Sequence, residues 1–440
     1  MAGPPDTVPD AALAEVFAAL DAALGPGAAP VGVALSGGGD SVALLHMMDA
    51  WARARGRPLE AATVDHRLRA ASAIEAQQAH DAARALGWRH ETLEWRGWAG
   101  KGNLQAEARA ARRRLLALWG ARRGLAAIAL GHTMDDQAET VLMRLGRGSG
   151  VDGLSAMAAR TEAEGAVWLR PLLGLRRAAL RDWLVAKGVV WAEDPSNEDD
   201  RFDRVRARRS LAELAPLGVT PEGLSETAGR MRLARQALDH AAAGLAAEAA
   251  RWGPLGELRL ALAPLRAAPQ ELARRLLRAG LVRASGAEHG PRAEAEGQLL
   301  VAMLAWRLGG GRSLHGCLIR PDGPTGVVIS REPAAIDPAP LALPAGGLIW
   351  DGRFRVLPAG PEAEGAAVTP LGEAGALRLA RLAEAGDWRP AAGWAEAPRA
   401  ARLASPALWR GETLISAPLA GWGDAAEARF APPGPAWPGP

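Results

Sequence analysis

The chain has 440 residues, 49% of them hydrophobic, which is enough for two or three domains with their own cores. Cys317 is the only cysteine, which excludes a disulfide within the chain, a cysteine-based metal site and dithiol chemistry. The first residues lack the basic and apolar regions of a signal peptide, and no stretch resembles a membrane span. We therefore expect a cytoplasmic protein without a membrane partner.

The charge balance weakly favours a polyanionic partner. The formal net charge is +3 and the isoelectric point is about 9.8. Lys101 and Lys187 are the only lysines, so nearly every phosphate contact must come from arginine, backbone N–H groups or a metal ion.

Short apolar runs and amphipathic helical patterns alternate through the first half of the chain. This alternation predicts an α/β fold with a doubly wound, mainly parallel sheet. We predict strands at 31–35, 59–64, 89–95 and 125–130, and helices at 8–24, from 40 onward, and at 72–86, 103–123, 135–145 and 173–187.

The pattern changes in the second half of the chain. A helical region follows residue 214, and short β-like runs with frequent glycine and proline follow residue 308. The predicted domains are residues 1–213, a helical region at 214–307 and a small, mainly β C-terminal domain at 308–440.

Three consecutive glycines follow the first predicted strand. Ser36 to Ser41 reads Ser-Gly-Gly-Gly-Asp-Ser, and Asp40 or Ser41 can cap the helix that follows. Backbone N–H groups and the helix dipole make such a loop a phosphate site. Asp40 stands where a Walker A loop requires lysine, and an acidic residue beside a polyphosphate fits a bound Mg²⁺. The alternative is an ordinary glycine-rich turn.

Polar side chains follow two more predicted strands. Asp136 and Glu139 are three residues apart on one helix face, just after His132. They can bind an ammonium group, bind a metal ion, or simply favour the helix N-terminus. Asp65 and His66 follow the second strand, at the edge of the sheet where open α/β folds bind ligands.

Arginines are concentrated in two segments. Arg109 and Arg112 share one helix face and can bind phosphate, or they can belong to a solvated face. The second segment alternates basic and apolar residues, which suits a basic surface for RNA or a solvated helix. Its arginines include Arg201, Arg204, Arg206 and Arg208.

The glycine loop resembles the S-G-G-x-D-S pyrophosphate loop of the N-type ATP pyrophosphatases. Gly131 to Leu154 is similar to the G-H-x-x-D-D-Q-x-E-T and R-G-S-G-x-x-G-L motifs of the bacterial tRNA(Ile)-lysidine synthetases. Residues 64–69 and 193–197 resemble that family's D-H-x-L-R and E-D-P-S-N blocks. Residues 103–113 resemble its N-x-x-x-x-A-R-x-x-R-Y helix, except that Arg113 stands where the family has tyrosine. The motifs span roughly half of the chain.

The resemblance implies an enzyme that uses ATP and Mg²⁺ to join L-lysine to the wobble cytidine of tRNA(Ile) with a CAU anticodon. ATP adenylates the C2 oxygen of cytosine and releases pyrophosphate, and the lysine amine then displaces AMP. Residues 1–213 would be the catalytic domain and residues 214–307 a tRNA-binding region. The resemblance is also compatible with a homodimer.

The resemblance also implies roles for individual residues. The nucleotide would contact Ser36, Gly37, Gly38, Gly39, Asp40, Ser41, Asp65 and His66, with Mg²⁺ on Asp40. Lysine or RNA would contact Asn103, Asp136, Glu139, Arg201, Arg204, Arg206 and Arg208. The catalytic residues would be Asp40, Arg109, Arg112, His132, Asp136 and Glu139.

Three other functions fit parts of the sequence. A tRNA thiolase of the same superfamily would need cysteines for sulfur transfer or an iron–sulfur cluster, and a single cysteine argues against it. An ammonia-dependent synthetase would come with a glutaminase domain or its own cysteine nucleophile, and neither is evident. A non-catalytic RNA- or nucleotide-binding protein is disfavoured by the intact Asp40, Asp136 and Glu139.

Overall fold

The computed structural model describes residues 10–67, 71–96, 104–192 and 203–432. The chain divides into two compact units, Met1–Arg235 and Gln236–Pro440. The three-domain division with limits at 213 and 307 stays a prediction.

The first unit contains strands and helices in alternation. Its strands are β1 (Val31–Ala34), β2 (Leu59–Asp65), β3 (Arg89–Glu94), β4 (Ala127–Leu130), β5 (Arg160–Ala163) and β6 (Ala166–Leu169). Its helices are α1 (Asp10–Leu24), α2 (Gly39–Arg55), α3 (Ala71–Ala85), α4 (Leu104–Arg123), α5 (Met134–Leu145), α6 (Val151–Leu154), α7 (Arg177–Ala186) and α8 (Asp203–Leu214). Helix α9 (Pro221–Ala249) begins in this unit and ends in the second.

Within the described residues of this unit, the strands form one sheet in the order β3-β2-β1-β4-β6-β5. All neighbours are parallel except β5, which pairs antiparallel with β6. The predicted α/β fold with a mainly parallel sheet is confirmed. The chain leaves β1 toward β2 on one side and returns to β4 on the other, so the order of strands reverses at β1. Ligands of open α/β sheets bind at that point, beyond the carboxyl ends of the strands.

Helices cover both faces of this sheet. Val31 and Val33 of β1 are fully buried in a core that also contains Leu44 of α2, Ala83 of α3 and Leu180 of α7. The opposite face packs against α4 through Leu116 and Trp119, together with Ile128 and Trp168. This two-sided burial explains why the central strands β1 and β4 are short runs without a polar side chain.

The second unit is built on antiparallel strands. They are β7 (Ala250–Trp252), β8 (Leu258–Ala261), β9 (Arg312–Leu314), β10 (Cys317–Asp322), β11 (Gly326–Arg331), β12 (Leu341–Ala342), β13 (Leu348–Trp350), β14 (Phe354–Pro358), β15 (Ala367–Pro370), β16 (Pro406–Arg410), β17 (Thr413–Ser416) and β18 (Ala426–Phe430). Its further helices are α10 (Leu262–Ala267), α11 (Gln270–Ser285), α12 (Ala293–Leu304), α13 (Gly372–Ala385) and α14 (Arg399–Leu403). In the part of the unit that the structure describes, the sheets have the orders β7-β8-β11-β10-β9, β12-β15-β16-β17 and β13-β14-β18.

The sequence-based prediction missed three details of the fold. Strands β7 and β8 lie inside the region predicted to be helical, and β8 pairs with β11. Helix α13 lies in the region predicted to be mainly β. The β5–β6 hairpin was not predicted, although Glu164 and Gly165 at its turn have φ values of 54° and 72°, typical of a tight hairpin turn.

No helix in the described ranges combines the length and the apolar character that crossing a lipid bilayer requires.

Gly131 allows the end of β4 to approach the start of α2. A Cβ atom at this position would lie 3.1 Å from the carbonyl oxygen of Asp40, and that backbone cannot move without moving the loop. We expect Gly131→Ala to lower the free energy of unfolding by about 1–3 kcal/mol. Gly174→Ala is the matched control, because nothing lies within 4 Å of its Cβ position, and its effect should stay within about 0.5 kcal/mol. Urea denaturation measures the free energy of unfolding of both variants. Equal losses would contradict the claim that Gly131 is needed for the close approach of β4 and α2.

Candidate active site

The loop after β1 is closed by Ser41. The backbone N–H and the hydroxyl of Ser36 each donate to Ser41 Oγ over 3.1 Å, and Ser41 Oγ donates to the Gly38 carbonyl over 2.9 Å. Gly37 has a φ of 83°, a conformation that glycine adopts without strain. The loop is therefore a pre-formed turn at the centre of the sheet edge.

The N-cap of helix α2 lies two residues before Asp40 and three before Ser41, the two predicted caps. Gly38 is the N-cap and no side chain caps the helix, so the prediction that Asp40 or Ser41 caps it is wrong. Asp40 lies in the first turn instead, and the Ser41 N–H donates to Gly38 O over 3.0 Å. An N-terminus without a side-chain cap keeps N–H groups for an anionic ligand.

Helix α5 begins with a capping box that involves Asp136. Thr133 Oγ1 accepts from the Asp136 N–H, while Asp136 Oδ2 accepts from the Thr133 N–H over 2.8 Å. The alternative that Asp136 favours the helix N-terminus is therefore supported by a capping box. The second carboxylate oxygen of Asp136 remains for another partner.

That partner is Arg177, at the start of α7. Its Nε donates to Asp40 Oδ2 over 2.8 Å, its Nη2 to Asp136 Oδ1 over 3.1 Å, and its Nη1 to Glu139 Oε1 over 3.4 Å. One guanidinium thus binds carboxylates from the glycine loop and from α5. We call Asp40, Asp136, Glu139 and Arg177 the carboxylate cluster.

Asp135 fixes the position of Arg177. Its Oδ2 accepts from the Arg177 backbone N–H over 2.7 Å, and its Oδ1 accepts from Arg176 Nε over 3.3 Å. The Met134 N–H also donates to Leu175 O over 2.9 Å. The first turn of α5 and the first turn of α7 are therefore held together, which leaves the Arg177 side chain little freedom.

Burial acts against the charges of the cluster. It raises the pKa of Asp40 and of Glu139 above their ordinary values, in spite of Arg177 beside Asp40 and of Arg208 and Arg177 beside Glu139. Burial also acts to raise the pKa of Asp136, but Arg177 and the Thr133 N–H together outweigh burial. The pKa of Asp136 therefore lies below its ordinary value. Asp136 is thus the carboxylate most firmly ionised.

Two oxygens of the cluster have no hydrogen-bond partner among the described residues. Asp40 Oδ1 and Glu139 Oε2 are both buried acceptors of this kind. Buried acceptors without a donor are costly and are characteristic of a site that binds a cation or another donor. Within the described ranges, no group of three or more histidine, cysteine or acidic side chains forms a ready-made metal site.

His132 lies beside the cluster as a neutral imidazole. Burial lowers its pKa, opposed by Asp136 and assisted by Arg170, Arg204 and Arg109. Its Nδ1 has no partner among the residues described. A neutral ring can accept or donate a hydrogen bond, but its low pKa makes it a weak base.

Several arginines lie near His132. Burial lowers the pKa of Arg109 and Arg112, and for Arg109 the nearby Arg204, Arg112 and Arg113 lower it further. Like charges brought together in this way favour a polyanion. The structure thus brings the predicted Arg109 and Arg112 into one basic surface.

Asp65, the last residue of β2, and His66, which follows it, lie at the same edge of the sheet. Asp65 Oδ1 accepts from the Arg67 N–H over 2.8 Å and so shapes the turn. The ring of His66 contacts Trp95 edge-to-face. Burial lowers the pKa of His66, and the nearby Arg112 lowers it to a smaller extent. His66 therefore adjoins the basic surface, while the carboxylate of Asp65 holds its own loop.

Helix α8 carries three of the arginines predicted to bind RNA. Arg208 Nε donates to Glu139 Oε1 over 3.0 Å, and Arg204 Nη1 lies 3.6 Å from Asp136 Oδ1. Arg206 pairs with Asp203 on the exposed part of the helix. Asn103, Arg201, residues 68–69 and the 193–197 block lie outside the described residues.

The comparisons with known proteins agree with one another. The family model of the PP-loop domain matches residues 11–215. A tRNA(Ile)-lysidine synthase from Ruegeria pomeroyi is 46% identical over 392 residues, which cover 89% of this chain and 88% of that protein. A second, from a Bradyrhizobium species, is 40% identical over 70% of this chain and 89% of its own length. A third, from Anaplasma marginale, is 35% identical over 74% of this chain and 70% of its own length.

The chain belongs to the tRNA(Ile)-lysidine synthase family. The resemblance predicted from the motifs is confirmed. Several residues of the tRNA(Ile)-lysidine synthase motifs have structural contacts here. Gln137 exchanges two hydrogen bonds with the Met157 backbone, each of 2.8 Å, and Arg144 Nη1 donates to Gly153 O over 2.7 Å.

Sequence reasoning missed Arg177. A signal was present, because two arginines occupy the start of a predicted helix, where the helix dipole disfavours cations. Arginine at such a position indicates a nearby acidic partner. The identity of that partner could not be read, because Arg177 and Asp40 are 137 positions apart in the sequence.

We expect Arg177→Gln to lower the free energy of unfolding by about 3 kcal/mol at neutral pH, because buried carboxylates lose their cation. The loss should shrink at acidic pH. Without Arg177 the pKa values of Asp40 and Glu139, already raised, rise further, so protonation removes the uncompensated charges as the pH falls. Urea denaturation at both pH values measures the effect.

Arg160→Gln is the control for Arg177→Gln. Arg160 pairs with Glu162 at the surface, with 46% and 66% of the two side chains exposed. Its loss should cost less than about 1 kcal/mol at either pH. An Arg177→Gln variant as stable as this control would contradict the role given to the cluster.

Proposed function

We propose that this chain ligates L-lysine to the C2 position of the wobble cytidine of tRNA(Ile) with a CAU anticodon. ATP adenylates the cytosine, pyrophosphate leaves, and the lysine amine displaces AMP. The observation that carries the proposal is the 46% identity to a tRNA(Ile)-lysidine synthase over 89% of the chain. The carboxylate cluster beside a glycine loop and a basic surface supports it physically.

The glycine loop is suited to the nucleotide step. Negative charge develops on the pyrophosphate leaving group, and backbone N–H groups at the start of α2 would stabilise it. Mg²⁺ would be held by Asp40, whose buried Oδ1 has no donor among the described residues, and would supply further stabilisation of that charge.

The carboxylates of α5 are suited to the lysine step. An ammonium group offers only donors, and Glu139 Oε2 is a buried acceptor without a partner among the residues described. The attacking amine must be neutral. Burial raises the pKa of Glu139, which makes this carboxylate a better proton acceptor than an exposed one. His132 has too low a pKa to be the main base.

The basic surface is suited to RNA. Arg109 and Arg112 on α4 and Arg204, Arg206 and Arg208 on α8 would bind phosphates around the anticodon. Asn103 and Arg201 are proposed for the same surface on sequence grounds. A homodimer is a further prediction, which analytical ultracentrifugation would test.

A sulfur-transfer function is disfavoured by Cys317. Its side chain is buried, and burial raises the pKa of the thiol to about 12, whereas a sulfur carrier requires an accessible thiolate.

The test of the proposed ligase activity uses labelled lysine, ATP, Mg²⁺ and unmodified tRNA(Ile) with a CAU anticodon. Acid-insoluble label is expected, and it should disappear when the wobble cytidine is changed to uridine. Incorporation that ignores this change would contradict the proposal.

We expect Asp40→Ala to abolish adenylation, because it removes the carboxylate that would hold Mg²⁺ at the loop. Affinity for tRNA should remain within about threefold, since Asp40 lies outside the basic surface. Release of AMP and filter binding of tRNA measure the two properties. Lost RNA binding with intact AMP release would refute this role of Asp40.

We expect Glu139→Gln to raise the apparent KM for lysine by roughly tenfold or more, and the KM for ATP much less, because the ammonium loses an ionic partner. Glu162→Gln, an exposed substitution in the same unit, is the control and should change neither KM. A larger effect on ATP than on lysine would move Glu139 to the nucleotide.

A further inference from the structure

Two arginines of the surface proposed for RNA contact the carboxylates proposed for lysine. Arg208 Nε lies 3.0 Å from Glu139 Oε1, and Arg204 Nη1 lies 3.6 Å from Asp136 Oδ1. Both come from α8, whereas both carboxylates come from α5. A phosphate that binds either arginine therefore competes with the carboxylate for the same positive charge.

Among the described residues, the carboxylates of the cluster already have as many arginine partners within 4 Å as they have negative charges. Asp40, Asp136 and Glu139 contribute three negative charges, and Arg177, Arg204 and Arg208 each place a guanidinium nitrogen within 4 Å of them. A lysine ammonium that enters this site must compete with a cation already present. Competition of this kind lowers the affinity for lysine.

The three arginines differ in how easily they can leave. Arg177 is only 17% exposed, and Asp135 holds its backbone. Arg208 and Arg204 are 43% and 36% exposed, so solvent and an approaching phosphate can reach them while they contact buried oxygens. Glu139, by contrast, has only 1% of its side chain exposed. Arg208 is therefore the partner of Glu139 that an incoming phosphate reaches more easily.

We propose that Arg208, assisted by Arg204, couples RNA binding to lysine binding. Without RNA, Arg208 pairs with Glu139 and competes with the lysine ammonium. A phosphate of bound tRNA accepts the Arg208 guanidinium and leaves Glu139 to the substrate. The inference rests on the proposed function, since it assumes that lysine binds at Glu139.

The coupling has a reciprocal consequence. If tRNA raises the affinity for lysine by a given factor, lysine raises the affinity for tRNA by the same factor. Lysine would thus bind firmly only where an RNA substrate is present. The pairing would limit occupation of the site by free lysine before the RNA arrives.

The test measures lysine binding by calorimetry in the absence of RNA. Arg208→Gln is expected to bind lysine roughly five- to tenfold more tightly than the wild type, because Glu139 loses its competing cation. The pH should be mildly alkaline, since burial raises the pKa of Glu139 and the carboxylate must be ionised. Addition of an anticodon stem-loop RNA should tighten lysine binding to the wild type and change Arg208→Gln little.

Two variants separate charge competition from a general effect on α8. Arg206→Gln removes the same charge from the same helix, but Arg206 pairs with Asp203, so its RNA-free lysine affinity should match the wild type. Arg208→Lys keeps the cation and should also remain near the wild type. The two substitutions that remove a charge, Arg206→Gln and Arg208→Gln, should weaken RNA binding to a similar extent.

The inference is overturned if Arg208→Gln binds lysine no more tightly than the wild type, or if neither protein binds it measurably without RNA. It is equally overturned if Arg206→Gln increases the RNA-free affinity for lysine as much as Arg208→Gln does. Incorporation of labelled lysine by the wild type is unaffected by these outcomes. Failure of the coupling and failure of the proposed ligase activity are therefore distinguished.

Discussion

The first unit depends on one electrostatic constraint: three carboxylates with little access to water share the guanidinium of Arg177. Like charges this close repel, and burial alone would drive Asp40 and Glu139 toward protonation. Arg177 allows the carboxylates to remain together at the loop. It also joins α2, α5 and α7 through contacts of 2.8–3.4 Å. The geometry of the site and the stability of these elements thus have the same source.

The fold supplies this arrangement through the order of its strands. Because β2, β1 and β4 are neighbours, the loops that follow them meet at one edge of the sheet. Gly131 lets the β4 end approach α2, and the Thr133–Asp136 capping box sets the direction in which α5 leaves the sheet. The basic surface on α4 and α8 then adjoins the cluster, which places the arginines proposed for RNA beside the carboxylates proposed for a cation.

Local sequence patterns were sufficient for much of this fold. The buried β1 run, the glycine loop and the 3.6-residue periodicity of α4 and α5 are properties of neighbouring residues, and these elements were predicted within a few residues. The carboxyl-end positions of Asp40, His132 and Asp136 followed from the parallel sheet. The motifs added the family, because their spacing is specific.

Long-range contacts account for what was missed. The pairing of Arg177 with Asp40, and of Arg208 with Glu139, joins residues far apart in sequence, and no periodicity records it. Strand β7 has three residues and is defined only by its pairing with β8. Helix α13 lies between stretches rich in glycine and proline, in a region for which the overall pattern predicted a mainly β domain. The cap of α2 was misjudged because Ser41 closes the loop instead of capping the helix.

The most direct test of the account is a trap-and-chase experiment with ATP labelled at the α-phosphate. The protein is incubated with tRNA(Ile) and Mg²⁺ but without lysine, the RNA–protein fraction is isolated, and lysine is then added without ATP. The account predicts that label accumulates on the tRNA and leaves as AMP when lysine arrives. Label that never joins the RNA, or that appears on lysine as an adenylate, would contradict the division of labour between the glycine loop and the carboxylates of α5.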